Sequence, residues 1–194
     1  MTSDLAVRLA THADIPALMA VEGRSYVDNL SAEERATGFV SILHSQRWFA
    51  DAVDDAGVHL AQSGDGNVCG FIAVTAPPDP AAAELPPIIR AMLKLADELE
   101  FRGSPIARQR YAFRGPVVID AAARGRGLYS RFNAVTRAAY RDRYDIGVLF
   151  TAAENPRSVH TTTTKLGAEP LATFEVESKR YHFLAFAFES DGLN

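Results

Sequence analysis

The sequence predicts an α/β (α+β) fold in which helices cover both faces of a mixed, mostly antiparallel central sheet. An antiparallel hairpin is indicated by two β-type runs, Val58–Gln62 and Val68–Ala76, which flank the turn sequence Ser-Gly-Asp-Gly-Asn. A strand, helix, strand, helix, strand order follows, and it is typical of a sheet that also contains a parallel pair. The 194 residues, 47% hydrophobic and 23% charged, suit one globular domain over residues 1–194.

The first third of the chain predicts a strand and then helices. Leu5–Ala10 is a short, mostly apolar stretch, and Thr11 with Asp14 forms a variant capping box before a helix that runs to about Ser25. Ser31 and Glu34 form a second capping box. The apolar residues at helical spacing after that box are Phe39, Ile42, Leu43, Trp48, Phe49 and Val53. We therefore expect the second helical segment to continue through this run.

The remaining elements follow from apolar periodicity and turn residues. They are a helix over Leu85–Leu99, a strand over Arg110–Ile119, a helix over Leu128–Tyr140, a strand over Ile146–Thr151, a short helix over Ser158–Lys165 and a strand over Tyr181–Phe188. The segment of about residues 77–109 is longer than a strand connection needs, so we interpret it as a helical insert. The insert packs on the core, walls an acceptor site or forms a homodimer surface.

Charge and composition exclude several classes of function. The formal net charge is −4, whereas proteins that bind bulk nucleic acid usually carry a basic face. The N-terminal sequence lacks the features of a signal peptide, and no apolar run approaches the roughly 20 residues of a membrane span. We therefore expect a cytoplasmic protein that binds neither nucleic acid nor membrane. The single cysteine, Cys69, excludes an intrachain disulfide and a cysteine metal cage.

The segment Gly115–Tyr140 carries the chemistry. A buried strand is followed by a loop with glycines at 125 and 127, and a helix begins near Leu128. Glycine lets the backbone approach a ligand closely, and the free amides and dipole of a helix start favour an anion. Walker A and Rossmann spacings are both absent. Spacing alone leaves two alternatives open, a phosphate site over Gly125–Ser130 and a plain tight turn.

This segment resembles motif A of the GNAT acetyltransferase superfamily, whose signature [R/Q]-x-x-G-x-[G/A] follows a strand. Arg124 and Gly127 match its first two fixed positions, and Tyr129 stands where Gly or Ala is usual. A second stretch resembles motif B of that family, in which an Asn precedes a short helix that ends in K-L-G-F. The matching residues are Asn155, Ser158, Lys165, Leu166 and Gly167, and Ala168 replaces the usual aromatic residue.

The resemblance implies a GNAT-like fold with a splayed parallel strand pair, acetyl-CoA as co-substrate and no metal. Strand backbone would pair with the pantetheine arm, and the amides of residues 125–130 would hold the pyrophosphate. The implied cofactor-binding residues are Val117, Val118, Ile119, Arg124, Gly125, Arg126, Gly127, Leu128, Tyr129, Ser130 and Asn155. Transfer would be direct attack of an amine on the acetyl carbonyl, helped by the proximity of the two substrates.

The catalytic acid and the catalytic base of the family are absent from the corresponding positions of this sequence. Thr162 stands where many relatives place a Tyr that protonates the leaving thiolate, and Phe150 stands where some carry a general-base Glu. We take His160 and Glu154 as the candidate catalytic residues. The alternatives are that His160 is a partly exposed bystander and that Glu154 is a helix-start carboxylate favoured by the helix dipole.

Four arginines accompany the end of the insert and have two interpretations. Arg102, Arg108, Arg110 and Arg114 form either a solvated or salt-bridged face, or a contact for the cofactor's 3′-phosphate or an acidic acceptor.

The sequence thus favours an acetyl-CoA-dependent N-acyltransferase that acts on a primary amine of a small molecule or a protein. One alternative is a non-catalytic acyl-CoA-binding module with a regulatory or sensor role. Another is an interaction domain without cofactor, in which the glycine loop is only a turn.

Overall fold

The structure, a computed structural model, describes residues 5–82 and 84–189. Its strands are β1 (Ala6–Leu9), β2 (Val58–Gln62), β3 (Val68–Thr75), β4 (Glu100–Phe101), β5 (Ser104–Pro105), β6 (Tyr111–Ile119), β7 (Ile146–Ala152), β8 (Glu169–Val176) and β9 (Lys179–Ala187). Its α-helices are α1 (Ile15–Arg24), α2 (Ala32–Arg35), α3 (Gln46–Asp54), α4 (Pro87–Glu98), α5 (Leu128–Tyr140) and α6 (Pro156–Thr161). Among these residues, no helix is long and apolar enough to cross a membrane.

Seven strands form one sheet in the order β1-β2-β3-β6-β7-β9-β8, and β4 and β5 form a separate small hairpin. The pairs β1–β2, β2–β3, β7–β9 and β8–β9 are antiparallel. The pair β6–β7 is parallel, and its ladder joins Tyr111–Phe113 to Ile146–Val148, the first three residues of each strand. The predicted fold class, a mixed and mostly antiparallel sheet with one parallel pair, is therefore confirmed.

The described residues fall into two compact units that share strand β6 and helix α5. Unit 1 takes residues up to 75 and residues 114–136, and unit 2 takes residues 76–113 and those from 137 onward. The single domain over residues 1–194 stays a prediction.

Unit 1 has an apolar core on each face of its strands because side chains alternate along a strand. Leu60 and Phe71 point to one face, where they pack with α1 and α3 residues such as Leu18 and Phe49. Their strand neighbours point to the other face, where Phe132 of α5 is fully buried. Truncating a buried aromatic side chain of this kind costs about 3–5 kcal/mol, so packing on this face fixes the position of α5 within unit 1.

Unit 2 buries one face of α4 against its strands. Met92 and Ala96 of the helix pack with Phe113, Val148 and Phe183, all of which are buried. The insert predicted over about residues 77–109 therefore contributes to the core of unit 2, which was one of its expected roles. Its hairpin β4–β5 was not predicted.

Two further predictions of secondary structure were wrong or incomplete. The second capping box is confirmed at Ser31 and Glu34, but the helix that it opens ends at Arg35, and helix α3 begins only at Gln46. Between them, Val40 exchanges backbone hydrogen bonds with Val27 and Ser25 and so forms an extended bridge. Strand β8 was missed altogether.

Candidate functional site

The loop between β6 and α5 presents backbone amides at a helix start. Gly125 and Gly127 have positive φ angles of 77° and 74°, a conformation that glycine adopts without steric cost. The first hydrogen bond that closes a turn of α5 runs from the Arg131 amide to the Gly127 carbonyl at 3.1 Å. The amides of the preceding residues, Leu128 to Ser130, therefore have no partner within the helix and suit an anion.

Space around the two glycines is open. A Cβ atom built on Gly125 or on Gly127 would meet no atom of the described structure within 4 Å, and both residues are exposed. Their missing side chains are thus not required by packing within the protein. The local backbone turn and the approach of a ligand to the amides are the remaining reasons for glycine at these positions.

Arg124 holds the loop in place through its side chain. Its Nε donates to the carbonyl of Ile119 at 3.0 Å, and a terminal nitrogen donates to the hydroxyl and carbonyl of Thr37 at 2.6 and 3.1 Å. The guanidinium thereby ties the end of β6 to the segment after α2. These contacts give Arg124 a positioning role, and its predicted contact with the cofactor stays a prediction.

A cavity of about 430 Å³ lies beside this loop within unit 1. It is lined by α1, by the start of β3 and by the residues after β6, including Arg24, Cys69, Asp120 and Arg126. Arg24 and Asp120 form an ion pair of 2.7 Å at its wall. The cavity therefore has a polar, partly cationic side next to the predicted pyrophosphate loop.

Arg114 of β6 lies buried under α5. Its guanidinium carbon is 5.1 Å from the centre of the Tyr129 ring, and one terminal nitrogen donates to Oδ1 of Asn133 at 2.6 Å. The solvated or salt-bridged face expected of the arginine set is confirmed for Arg110, which pairs with Asp145, and is wrong for Arg114, which is only 6% exposed. Sequence alone gave no signal for this, because the partners of Arg114 are 15 or more positions away.

The motif-B residues belong to unit 2. Asn155 is buried, and its side-chain oxygen caps α6 by accepting from the Ser158 amide at 3.1 Å. Gly167 ends the following turn in the left-handed conformation, with φ of 74°. Thr162, at the position where many relatives carry a Tyr, is buried. The cofactor contact expected of Asn155 stays a prediction, and its capping role is now defined.

The two candidate catalytic residues are exposed. Glu154 precedes α6, His160 lies in that helix, and within the described part of the chain no hydrogen bond or ion pair joins them. Tyr181 of β9 was not considered from the sequence. Burial raises the pKa of Tyr181, with smaller contributions from the negative charges of Glu177 and Glu154. The Tyr181 phenol therefore holds its proton more tightly than an ordinary tyrosine does.

A buried carboxylate in unit 1 pairs with a histidine. Glu22 is 1% exposed, and its two oxygens accept from His44, one from ring Nδ1 at 2.7 Å and one from the backbone amide at 2.9 Å. The imidazole packs on Trp48 with ring centres 3.9 Å apart and ring planes tilted by 38°. This pair anchors the segment between α2 and α3 to α1.

No model of a known protein family matches this sequence, and no curated protein matches it. Solved structures do match. An acetyltransferase of the GNAT family from Streptococcus agalactiae superposes with a TM-score of 0.64, covering 96% of this chain and 96% of that chain at 17% identity. This chain has the GNAT acetyltransferase fold.

Further proteins share the GNAT fold with this chain. A Salmonella typhimurium protein, proposed to be an acetyltransferase and solved with its cofactor acetyl-CoA, has a TM-score of 0.62 over 99% of this chain and 98% of that chain, at 13% identity. The ribosomal-protein-S18-alanine N-acetyltransferase of Escherichia coli has a TM-score of 0.61 over 98% of each chain, at 12% identity. At such identities the likeness concerns the GNAT fold itself.

Proposed function

We propose that this protein is an acetyl-CoA-dependent N-acyltransferase that moves an acetyl group directly to a primary amine of a small molecule or a protein. The observation that carries the proposal is the start of α5, where two exposed glycines of positive φ lead into free helix amides at the end of β6. The GNAT-fold protein from Salmonella typhimurium was solved with acetyl-CoA, which supports the same co-substrate here.

In the proposed complex the amides of residues 125–130 hold the pyrophosphate, and the positive end of the α5 dipole adds to the attraction. The backbone of Val117, Val118 and Ile119 pairs with the pantetheine arm in the manner of an added strand. Arg126 contributes positive charge beside the loop. Asn155 is proposed as a further contact, in addition to its capping of α6.

The proposed reaction needs no redox partner. The lone pair of a neutral amine forms the N–C bond to the acetyl carbon, the C–S bond breaks, the amine loses one proton and the thiolate of CoA gains one. Alignment of the two substrates supplies much of the rate, and a backbone amide near Ile119 polarises the carbonyl. We assign the amine proton to His160 or Glu154.

Cofactor binding is tested by calorimetric titration of acetyl-CoA into the wild type and Gly127→Glu. The glutamate side chain blocks the amides and repels phosphate, so we expect affinity to fall at least about tenfold, the value of one hydrogen bond to a charged group. Gly103→Glu is the matched control. Gly103 also has a positive φ, 77°, and open space around it, but it lies in the β4–β5 turn. Unchanged affinity in Gly127→Glu would place the cofactor elsewhere.

Transfer is tested by release of free thiol from acetyl-CoA with a panel of primary amines. We expect His160→Ala or Glu154→Gln to lower kcat/KM, with its profile measured between roughly pH 6 and 9. If both variants keep the wild-type profile, the proton assignments are wrong.

The buried threonine at position 162 favours one second candidate, a non-catalytic acyl-CoA-binding regulatory or sensor module. A threonine hydroxyl is a poor acid at neutral pH, and Thr162 is only 2% exposed. Acetyl-CoA binding without transfer to any amine and without slow hydrolysis would support this candidate over the enzyme.

A further inference from the structure

Arg114 is a buried cation that donates a single side-chain hydrogen bond within the described residues. It is 6% exposed, and its Nε is buried without a hydrogen-bond partner. Its one hydrogen bond goes to the neutral side chain of Asn133, and in residues 5–82 and 84–189 no carboxylate lies within ion-pair distance of it. A guanidinium removed from water without a countercharge is costly unless its donors are satisfied.

Arg137, one helical turn further along α5 than Asn133, shows how a purely structural arginine is satisfied in this protein. Its guanidinium also lies over an aromatic ring, that of Phe186, at 5.4 Å. However, its terminal nitrogens donate to the backbone carbonyls of Leu166, Ala187 and Phe188. Arg114 has the same kind of ring contact, but its guanidinium donates to no backbone carbonyl of the described residues. Packing alone therefore does not account for a cation at this position.

Tyr129 provides a second unsatisfied group beside the first. Its ring lies against the Arg114 guanidinium, and its hydroxyl is buried without a hydrogen-bond partner. Tyr129 also occupies the motif-A position at which Gly or Ala is usual, so a large side chain stands there together with an unused donor. Two buried donors in one cluster of unit 1, Nε of Arg114 and the hydroxyl of Tyr129, therefore lack a hydrogen-bond partner in the part of the chain that the structure describes.

We propose that Arg114 and Tyr129, with Asn133 as the positioning residue, bind a carboxylate group of a substrate. The inference rests on the proposed acyltransfer function and specifies its substrate class. A carboxylate carries one negative charge, which neutralises one guanidinium, and its two oxygens accept from a planar nitrogen fork and a phenol at once. A phosphate dianion would leave excess negative charge in a buried cluster that holds one cation.

The carboxylate has two chemical sources. It belongs either to the acceptor, as in an α-amino acid, or to the acyl group, as in a dicarboxylic acyl-CoA. Two arms of one experiment separate the sources. The first compares L-amino acids with the corresponding amino-acid amides, using acetyl-CoA. The second compares succinyl-CoA with acetyl-CoA and butyryl-CoA, using neutral amines. Each arm measures KM and kcat by thiol release, and the affinity of each carboxylate and its neutral analogue alone by calorimetry.

In the arm that holds the true source, the wild type is expected to prefer the carboxylated member by at least about tenfold. Arg114→Gln should raise its KM and Kd by about 10- to 100-fold and abolish the preference. Tyr129→Phe should weaken binding by roughly tenfold while thermal stability stays equal or rises, because a buried hydroxyl without a partner is removed. A structural tyrosine would show the opposite sign in stability. Arg110→Gln, which alters an exposed arginine paired with Asp145, is the matched control and should leave the preference intact.

Three outcomes overturn the proposal. One is an equal affinity of the wild type for carboxylated and neutral members in both arms, with acyl transfer intact. Another is a preference that survives in Arg114→Gln. The third is failure of every carboxylate to bind a protein that binds acetyl-CoA. Loss of acetyl-CoA binding by the wild type would instead overturn the proposed function, and calorimetry with amino acids and succinate alone would still decide the carboxylate site. If Arg114→Gln does not fold, Tyr129→Phe gives the same decision.

Discussion

Gly70 of β3 lies against the backbone of β6, and replacing it with alanine would push the two strands apart. A Cβ atom at this position would lie 2.5 Å from the carbonyl oxygen of Val118 and 3.1 Å from the Cα of Ile119. Ordinary contacts of a Cβ begin at 3.4 Å, so the oxygen has to move by 0.9 Å, the difference between 3.4 and 2.5 Å. Both obstacles belong to the backbone and cannot rotate away as a flexible side chain would.

The cost follows from two contributions. Forcing an extra carbon into a packed interior costs about 1–3 kcal/mol. Moving the strands also strains the adjacent hydrogen bond from the Asp120 amide to the Cys69 carbonyl, which measures 2.9 Å, and losing such a bond costs about 0.5–1.5 kcal/mol. We therefore expect Gly70→Ala to lower the free energy of unfolding by about 2–4 kcal/mol, which corresponds to a fall in Tm of roughly 4–16 °C for a chain of this size.

Urea unfolding and thermal unfolding of the variant measure this directly. Gly64→Ala is the matched control, since Gly64 is exposed in the β2–β3 turn and a Cβ there would meet no atom within 4 Å; it should be neutral or stabilising by up to about 1 kcal/mol. Because β6 carries Val117–Ile119, which are proposed to pair with the pantetheine arm, Gly70→Ala should also weaken acetyl-CoA binding. If the two variants differ by less than about 0.5 kcal/mol, which is the usual scatter for surface changes, the close approach at Gly70 is not real.

Burial lowers the pKa of His59, which is 5% exposed in β2. Because its folded pKa lies below the unfolded value, His59 contributes stability that is full above about pH 6.5 and is lost as pH falls through the folded pKa. We therefore expect the free energy of unfolding, measured by urea titrations from pH 7 to pH 5, to fall less steeply in His59→Gln than in the wild type. The difference in slope should be up to about 1.4 kcal/mol per pH unit. Equal slopes in the two proteins would contradict a neutral buried His59. Asn155→Ala should cost about 0.5–2 kcal/mol through loss of the α6 cap, whereas Asn155→Asp should recover most of it. The affinity of Asn155→Asp for acetyl-CoA then separates the capping role of Asn155 from a contact with the cofactor. Equal losses of stability in Asn155→Ala and Asn155→Asp would argue against the cap.

The sequence predicted the elements around the glycine loop well because their signals are local. Helix α5 begins and ends at Leu128 and Tyr140, the residues predicted from its apolar stripe and from the glycine before it. The β2–β3 hairpin and the start of β7 were also placed correctly. In each of these cases the residues that define the element lie within one turn or one strand of each other, so the pattern contains the whole cause.

Residues 36–45 show where a local pattern fails. Phe39, Ile42 and Leu43 have helical spacing, yet Gly38 has φ of 106° and Val40 bonds to the backbone of Ser25 and Val27. The decisive partners are more than ten positions away, and the buried carboxylate of Glu22 adds a further one by holding the His44 amide. Tertiary contacts therefore override the helical periodicity here.

Strand β8 was missed for a different reason. It is the last strand of the sheet, its residues are half-buried or exposed, and Pro170 weakens the strand signal. The unsatisfied donors of Arg114 and Tyr129 were equally beyond sequence reasoning, because an arginine becomes unusual only when its neighbours are known. What was predicted of the site is its backbone part, and what was missed depends on side chains brought together by the fold.

The division of the chain between the two units has a consequence for synthesis. Unit 1 needs residues up to 75 and also residues 114–136, and unit 2 interrupts it with residues 76–113 before completing itself from residue 137 onward. A ribosome that adds about 5–20 residues per second therefore releases the first three strands several seconds before β6 can join them. During that interval the edge of β3 is uncovered, and we expect chaperones to bind the emerging chain there.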